Sequence, residues 1–188
     1  MKKIIIFIFL LTSSIFAKEE LLLDSANTFS IVMQGKSVSN IVQNAKAILI
    51  FPSAKKVGFI IGGMFGEGVA VVGSQVMKAD ISNASLGFQI GYEDSYLVVF
   101  IMSDKLLNDI QNSKITLGGD VTATALNTTA NLGTLNAFSD DIYVFTNKSG
   151  VFVGASLGGV VLEIDGSEIY SQSSYGYTNL IEAVEKAK

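Results

Sequence analysis

Between Ala47 and Met102 the chain passes through a series of short apolar stretches, AILIF, VGFIIGGM, GVAVV, QVMKADI, SLGFQIGY and SYLVVFIM. Runs of this length, rich in Val, Ile and Phe, read as strands rather than helices. The spacers are too short for parallel crossovers, so the segment is expected to be an antiparallel meander. Pro52, the only proline, follows AILIF and has no amide to give a ladder, so it is expected to end the first strand. The glycines between Gly62 and Gly68 mark bulges, bends or a close approach of another backbone. Strands resume at KITLGG, TATALNTTA, DIYVFTN, GVFVGASLGGVVLEI and SEIYS.

Helical spacing flanks and interrupts this pattern. In EELLLDSANTFSIVMQ (19–34), Leu22, Ala26, Phe29 and Met33 fall on one stripe, with Gly35 as a stop, and Ser37 is placed to cap a second short helix. SDKLLNDIQ (103–111) reads as a capped helix between strands, and TNLIEAVEKAK (178–188) as a terminal one facing inward through Leu180, Ile181 and Val184. The expected fold is a single α+β domain: an antiparallel sheet, strongly curved or barrel-like, with N-terminal, middle and C-terminal helices.

The first seventeen residues, MKKIIIFIFLLTSSIFA, have two lysines, an apolar run and a small-residue end, the pattern of a secretory signal peptide. Residues 1–17 are expected to be removed, leaving 18–188 as one domain exported to the periplasm or envelope surface. That form holds eleven lysines against seventeen carboxylates, a net charge of −6, and no arginine. Such a balance argues against nucleic acid as a partner. Without cysteine the domain must be held by its core. Without histidine it lacks the usual base near neutral pH and the commonest transition-metal ligand.

Motifs that resemble active-site signatures fail on context. Gly63, Gly66 and Gly68 precede VAVV, a strand former, whereas a dinucleotide loop needs a helix there. GASLG (154–158) has the form of a nucleophile elbow around Ser156, but no histidine exists to serve as its base. The acidic pairs Glu93-Asp94 and Asp140-Asp141 are expected at turns, and Asp80, Asp120 and Asp165 match no calcium-loop pattern. No enzyme activity, metal or cofactor is expected. Lys55 and Lys56, with Phe51 and Phe59 on either side, form the densest positive cluster of the exported chain, expected as a turn between strands or a lipid contact.

The run AKAILIFPSAKKVGFIIGGMFGEGVAVV, followed by ADISNASLGFQIGYEDSYLVVFIMSD, resembles the SYLF domain family of lipid-binding proteins. The features that match are Phe51-Pro52, Lys56-x-Gly58-Phe59, Gly62 to Gly68, the segment from Ser85 to Gly91, Gly119-Asp120-Val121, GVFVGASLGG and Tyr175-Gly176, in that order. The resemblance covers about residues 20–188. It implies phospholipid binding, with phosphoinositides and actin as partners in eukaryotic relatives. This chain departs from those relatives in lacking arginine and in its acidic balance. The expected function is therefore non-enzymatic, peripheral docking on membrane phospholipids, with anionic ones favoured by the lysines. The apolar face of Leu22, Phe29 and Met33, helped by Phe51 and Phe59, would enter the interface while Lys55 and Lys56 meet phosphate. The competing expectation is a structural or protein-interaction module of the envelope with no affinity for lipid.

Overall fold

The computed structural model describes the backbone of residues 2–34, 39–58, 61–86, 91–117, 123–127, 141–146 and 159–188. Side chains are described at 16–34, 39–55, 63–83, 94–117, 141–146 and 159–188. Helix α1 (Lys2–Met33) and the short α2 (Ser39–Asn44) precede the strands β1 (Ala47–Gly58), β2 (Ile61–Val72), β3 (Gln75–Leu86) and β4 (Gly91–Ile101). Helix α3 (Asp104–Asn112) leads to β5 (Ile115–Thr116), β6 (Ala123–Asn127), β7 (Ile142–Thr146) and β8 (Val161–Ile169), and α4 (Tyr175–Lys186) closes the chain.

The described strands form one sheet in the order β5-β8-β3-β2-β1-β4-β7-β6, curled into a half-barrel. Every pairing is antiparallel except β6 with β7, which is parallel. Both faces carry core, which explains why the central strands read as continuous apolar runs. In β1, Ala47, Leu49 and Phe51 point to one face and Ile48 and Ile50 to the other, and all five are buried. Helices α1, α2 and α4 cover the second face through Leu22, Phe29, Ile41, Val42, Leu180 and Val184. Helix α3 packs on the first through Leu106 and Ile110. Its N-cap is Ser103, whose hydroxyl accepts from the Leu106 amide at 3.3 Å.

Three sequence expectations are corrected here. Pro52 does not end β1, which continues to Gly58 between two partner strands. The ladder accommodates it with a bulge: Phe51 pairs with Leu97 and Ala54 with Ser95, so Pro52 and Ser53 together oppose Tyr96 alone. On the other side the bulged segment presses on β2. A Cβ at Gly66 would lie 2.5 Å from the Ser53 carbonyl oxygen, and one at Gly68 would overlap the Ile50 carbonyl oxygen and the Phe51 ring. The glycines of FIIGGMFGEG therefore belong inside one twelve-residue strand, where they admit the bulge. Second, Lys55 and Lys56 lie in β1, not in a turn, and Glu93 and Asp94 lie in β4, where they pair with Lys56 and Lys55 respectively. Third, VVLEI and SEIYS form one strand, β8, which bulges around Gly166 between Asp165 and Ile169. Ser37, Ser156, Asp120 and Asp140 lie outside the described residues.

Candidate functional site

On the helix-covered face, burial by α1, α2 and α4 reaches Ile50 in β1, Val69 in β2, Val76 in β3 and Val98 in β4. Beyond those positions the described side chains on that face are partly or fully exposed. Period-two alternation places Lys55, Phe65, Ser82 and Asp94 there. Register sets them in one row: Ser82 pairs with Phe65, Phe65 with Lys55, and Lys55 with Asp94. Lys55, Ser82 and Asp94 are exposed, and Phe65 is 53% exposed. The Ser53 hydroxyl from the bulge donates to the Asp94 carboxylate at 2.8 Å.

The next row, toward the helices, is acidic. Glu67 pairs with Asp80 and Asp80 with Glu163, so three carboxylates stand side by side on β2, β3 and β8. Lys78 spans two of them, at 3.3 Å from Glu67 and 3.7 Å from Asp80, and Lys114 meets Glu163 at 2.8 Å. Partial burial raises the Asp80 pKa above the ordinary aspartate value; Lys78 pulls it down, and Glu67 and Glu163 push it up again. For Lys78, burial acts against the charged form, but the neighbouring Asp80, Glu67 and Glu168 carboxylates prevail and raise its pKa. Tyr170, buried at the inner margin of this row, is pushed up to about 12 by burial and by Glu168, Glu67 and Asp80. Among the described residues no group of three His, Cys, Asp or Glu is arranged to hold a metal ion.

The residues expected to contact lipid are thus separated by the fold. Lys55 is on the open surface. Lys56 is in the β1 ladder opposite Met64 and Glu93; its side chain, and all of Phe59, lie outside the described residues. Phe51 is fully buried on the α3 side of the sheet. Leu22 and Phe29 are at most 1% exposed under α1, where Phe29 packs 6.5 Å from Phe100 between ring centroids, and Met33 is partly buried against the same core. Leu22, Phe29 and Phe51 have no free surface to offer a bilayer. Each large side chain fully buried contributes about 1.5–3 kcal/mol relative to exposure, which holds the α1 stripe against the sheet. The helical periodicity of Leu22 and Phe29 is that of a core-facing stripe.

Phe65 is an exposed aromatic residue that sequence reading missed. In MFGEG it looks like core, but Glu67 is two residues away on the same face, and that spacing signals an open surface at this end of β2.

Among the described residues no helix is long and apolar enough to cross a membrane. Comparison with curated proteins and with solved structures gave no match. Comparison with protein families gave one described as "Ysc84: Las17-binding protein actin regulator", matching residues 82–183. That match spans more than half of the 188 residues and includes the end of β3, the whole of β4 to β8 and most of α4. The chain therefore belongs to the Ysc84, or SYLF, domain family.

Proposed function

We propose that this protein is a non-enzymatic phospholipid-binding domain of the cell envelope, exported after removal of residues 1–17 and docking peripherally on membranes. Membership of a family known for lipid and actin-related binding supports the lipid class. The observation that carries the reading is the open sheet surface beyond the helix layer, where Lys55 is exposed on a strand paired on both sides. A lysine near an anionic surface contributes on the order of 1 kcal/mol, so Lys55 orients the domain and gives salt-sensitive attachment, while apolar contact must supply the remainder. A non-catalytic role is supported by chemistry: Glu67, Asp80 and Glu163 are each in an ion pair with a lysine on an open face. Export is supported by the sequence of residues 1–17, where two lysines, an apolar run and a small-residue end form the pattern of a secretory signal peptide.

The test is flotation of residues 18–188 with neutral and with anionic phospholipid vesicles at low and high salt. Binding to anionic vesicles that weakens with salt, and is lost in Lys55→Glu/Lys56→Glu, is the expected result. Absence of flotation in every condition would overturn the lipid reading in favour of a protein-interaction module.

A further inference from the structure

The register of β1, β2 and β3 isolates one aromatic ring on the open face. On its own strand, Phe65 has Gly63 and Glu67 as same-face neighbours, and across the ladder it has Ser82 and Lys55. Gly63 offers no side chain and Ser82 a short one, so nothing on these two sides screens the ring, which is 53% exposed. A phenylalanine standing alone on a surface is unremarkable. This one differs in its partner and its support. It is directly opposite an exposed lysine, at the distance where cross-strand side chains share one environment. The strand beneath is also closely packed: immediately after the ring, a Cβ at Gly66 would lie 2.5 Å from the Ser53 carbonyl oxygen, and one at Gly68 would overlap the Ile50 carbonyl oxygen, so β2 runs tight against the β1 bulge there. An apolar ring beside a lysine ammonium is the pair that suits the boundary between headgroup phosphate and acyl chain. The nearest carboxylates are engaged, Glu67 with Lys78 at 3.3 Å and Asp94 with the Ser53 hydroxyl at 2.8 Å.

We infer that Phe65 is the membrane-inserting residue of this domain: the open end of the sheet docks on an anionic phospholipid bilayer, with the Phe65 ring entering the interface and Lys55 meeting phosphate beside it. This inference rests on the lipid-binding reading above and replaces the buried stripe of α1 as the apolar contact. Burying the exposed half of the ring predicts that Phe65→Ser weakens partition to anionic vesicles about three- to tenfold. Its dependence on salt stays that of the unmodified protein, because the lysines remain.

The chain contains no tryptophan, so Phe65→Trp creates a single emitter at the site. Tyr175→Trp, on the 71% exposed first residue of α4, serves as a reference emitter elsewhere on the surface. With residues 18–188 and vesicles of mixed neutral and anionic phospholipid, the Phe65→Trp emission is expected to shift to the blue and to be quenched by brominated acyl chains, while Tyr175→Trp is unchanged. The inference is overturned, with lipid binding intact, if the unmodified protein floats but Phe65→Ser floats equally well and Phe65→Trp emission does not move. Equal shifts at both emitters would overturn it as well. A blue shift of Phe65→Trp that grows with protein concentration without vesicles would assign the ring to a second copy of the chain instead. Failure of the unmodified protein to float would remove the lipid reading and this inference together. Because the ring is more than half exposed, these variants keep the native circular dichroism and melting temperature, which separates loss of docking from loss of fold.

Discussion

Glu19 of α1 accepts a 2.6 Å hydrogen bond from the backbone N–H of Gly176 in the first turn of α4. That amide has no intrahelical acceptor, and a carboxylate there also meets the positive end of the helix dipole. Ser174 serves the next amide, its hydroxyl accepting from Tyr177 at 3.1 Å. The two helices are able to meet so closely because residue 176 is a glycine: a Cβ there would lie 2.7 Å from the Leu22 Cβ. Glu19→Ala is expected to cost about 1 kcal/mol of stability through loss of this cap. Gly176→Ala should cost roughly 1–3 kcal/mol by forcing α4 off α1. Urea titration of each variant checks both values, and an unchanged Gly176→Ala midpoint would refute the steric account.

The β1 bulge makes a sharper prediction about glycine. Alanine at Gly68 would collide with the Ile50 carbonyl oxygen and the Phe51 ring, both in the interior of the sheet. Gly166, in the β8 bulge, has nothing within 4 Å of an added Cβ. Gly68→Ala should therefore lower stability by roughly 1–3 kcal/mol or more. Gly166→Ala should be nearly neutral, so the two melting temperatures measured side by side separate steric need from a general preference for glycine in strands.

The same bulge shows what the sequence conveyed and what it hid. The apolar runs made the antiparallel sheet legible, and the helices of α1, α3 and α4 followed from their stripes of Leu, Ile and Phe. Strand ends were not legible, because Pro52 and the glycines of β2 have the chemistry of turns, and only the pairing of β1 with both β2 and β4 reveals that a bulge absorbs them. Period-two alternation failed as a guide in AILIF because both faces are covered there. The candidate site was half legible. Lys55 stood out by charge, but whether Phe29, Phe51 or Phe65 is exposed depends on where the helix layer stops, a tertiary fact with no local signal except Glu67 near Phe65.

Asp80 gives stability an unusual slope with pH. Its pKa in the fold is raised, first by burial and then by Glu67 and Glu163, so folding disfavours its charged form. Its favourable contribution is complete below the unfolded value of 3.8 and is lost as pH rises through the higher folded value. Asp80→Asn should accordingly melt higher than the unmodified protein at neutral pH, with the difference shrinking as the pH is lowered toward 4. Loss of the ion pair with Lys78 acts in the opposite direction, but it is partly exposed and contributes little. A lower melting temperature for Asp80→Asn at neutral pH would show that the Lys78 pair outweighs repulsion within the row.

Export can be read from the mass of the protein itself. Expressed with its full sequence in a Gram-negative host, the chain is expected in the periplasmic extract with Lys18 as its first residue. Lys18 and Glu19 then remain to hold Glu168 and α4. A mass corresponding to the uncut chain, found only with the inner membrane, would mean that the apolar run from Ile4 to Leu11 is retained as an anchor.

Phe29 decides between the two roles assigned to α1. Its ring has no exposure and packs against Phe100, which in turn meets Phe145 edge-on at 5.5 Å between centroids. A residue so placed is core, and Phe29→Ala should lower stability by about 3–5 kcal/mol. If α1 instead opened to present Leu22 and Phe29 to lipid, vesicles would have to compensate for exposing Phe100, Phe145 and the β1 and β4 residues beneath them. The protein would then show faster amide exchange across α1 on addition of anionic vesicles. The closed arrangement predicts no such change in α1, and protection instead in β1 and β2 around Lys55 and Phe65. Hydrogen exchange with and without vesicles therefore distinguishes an unlatching helix from docking by the open end of the sheet.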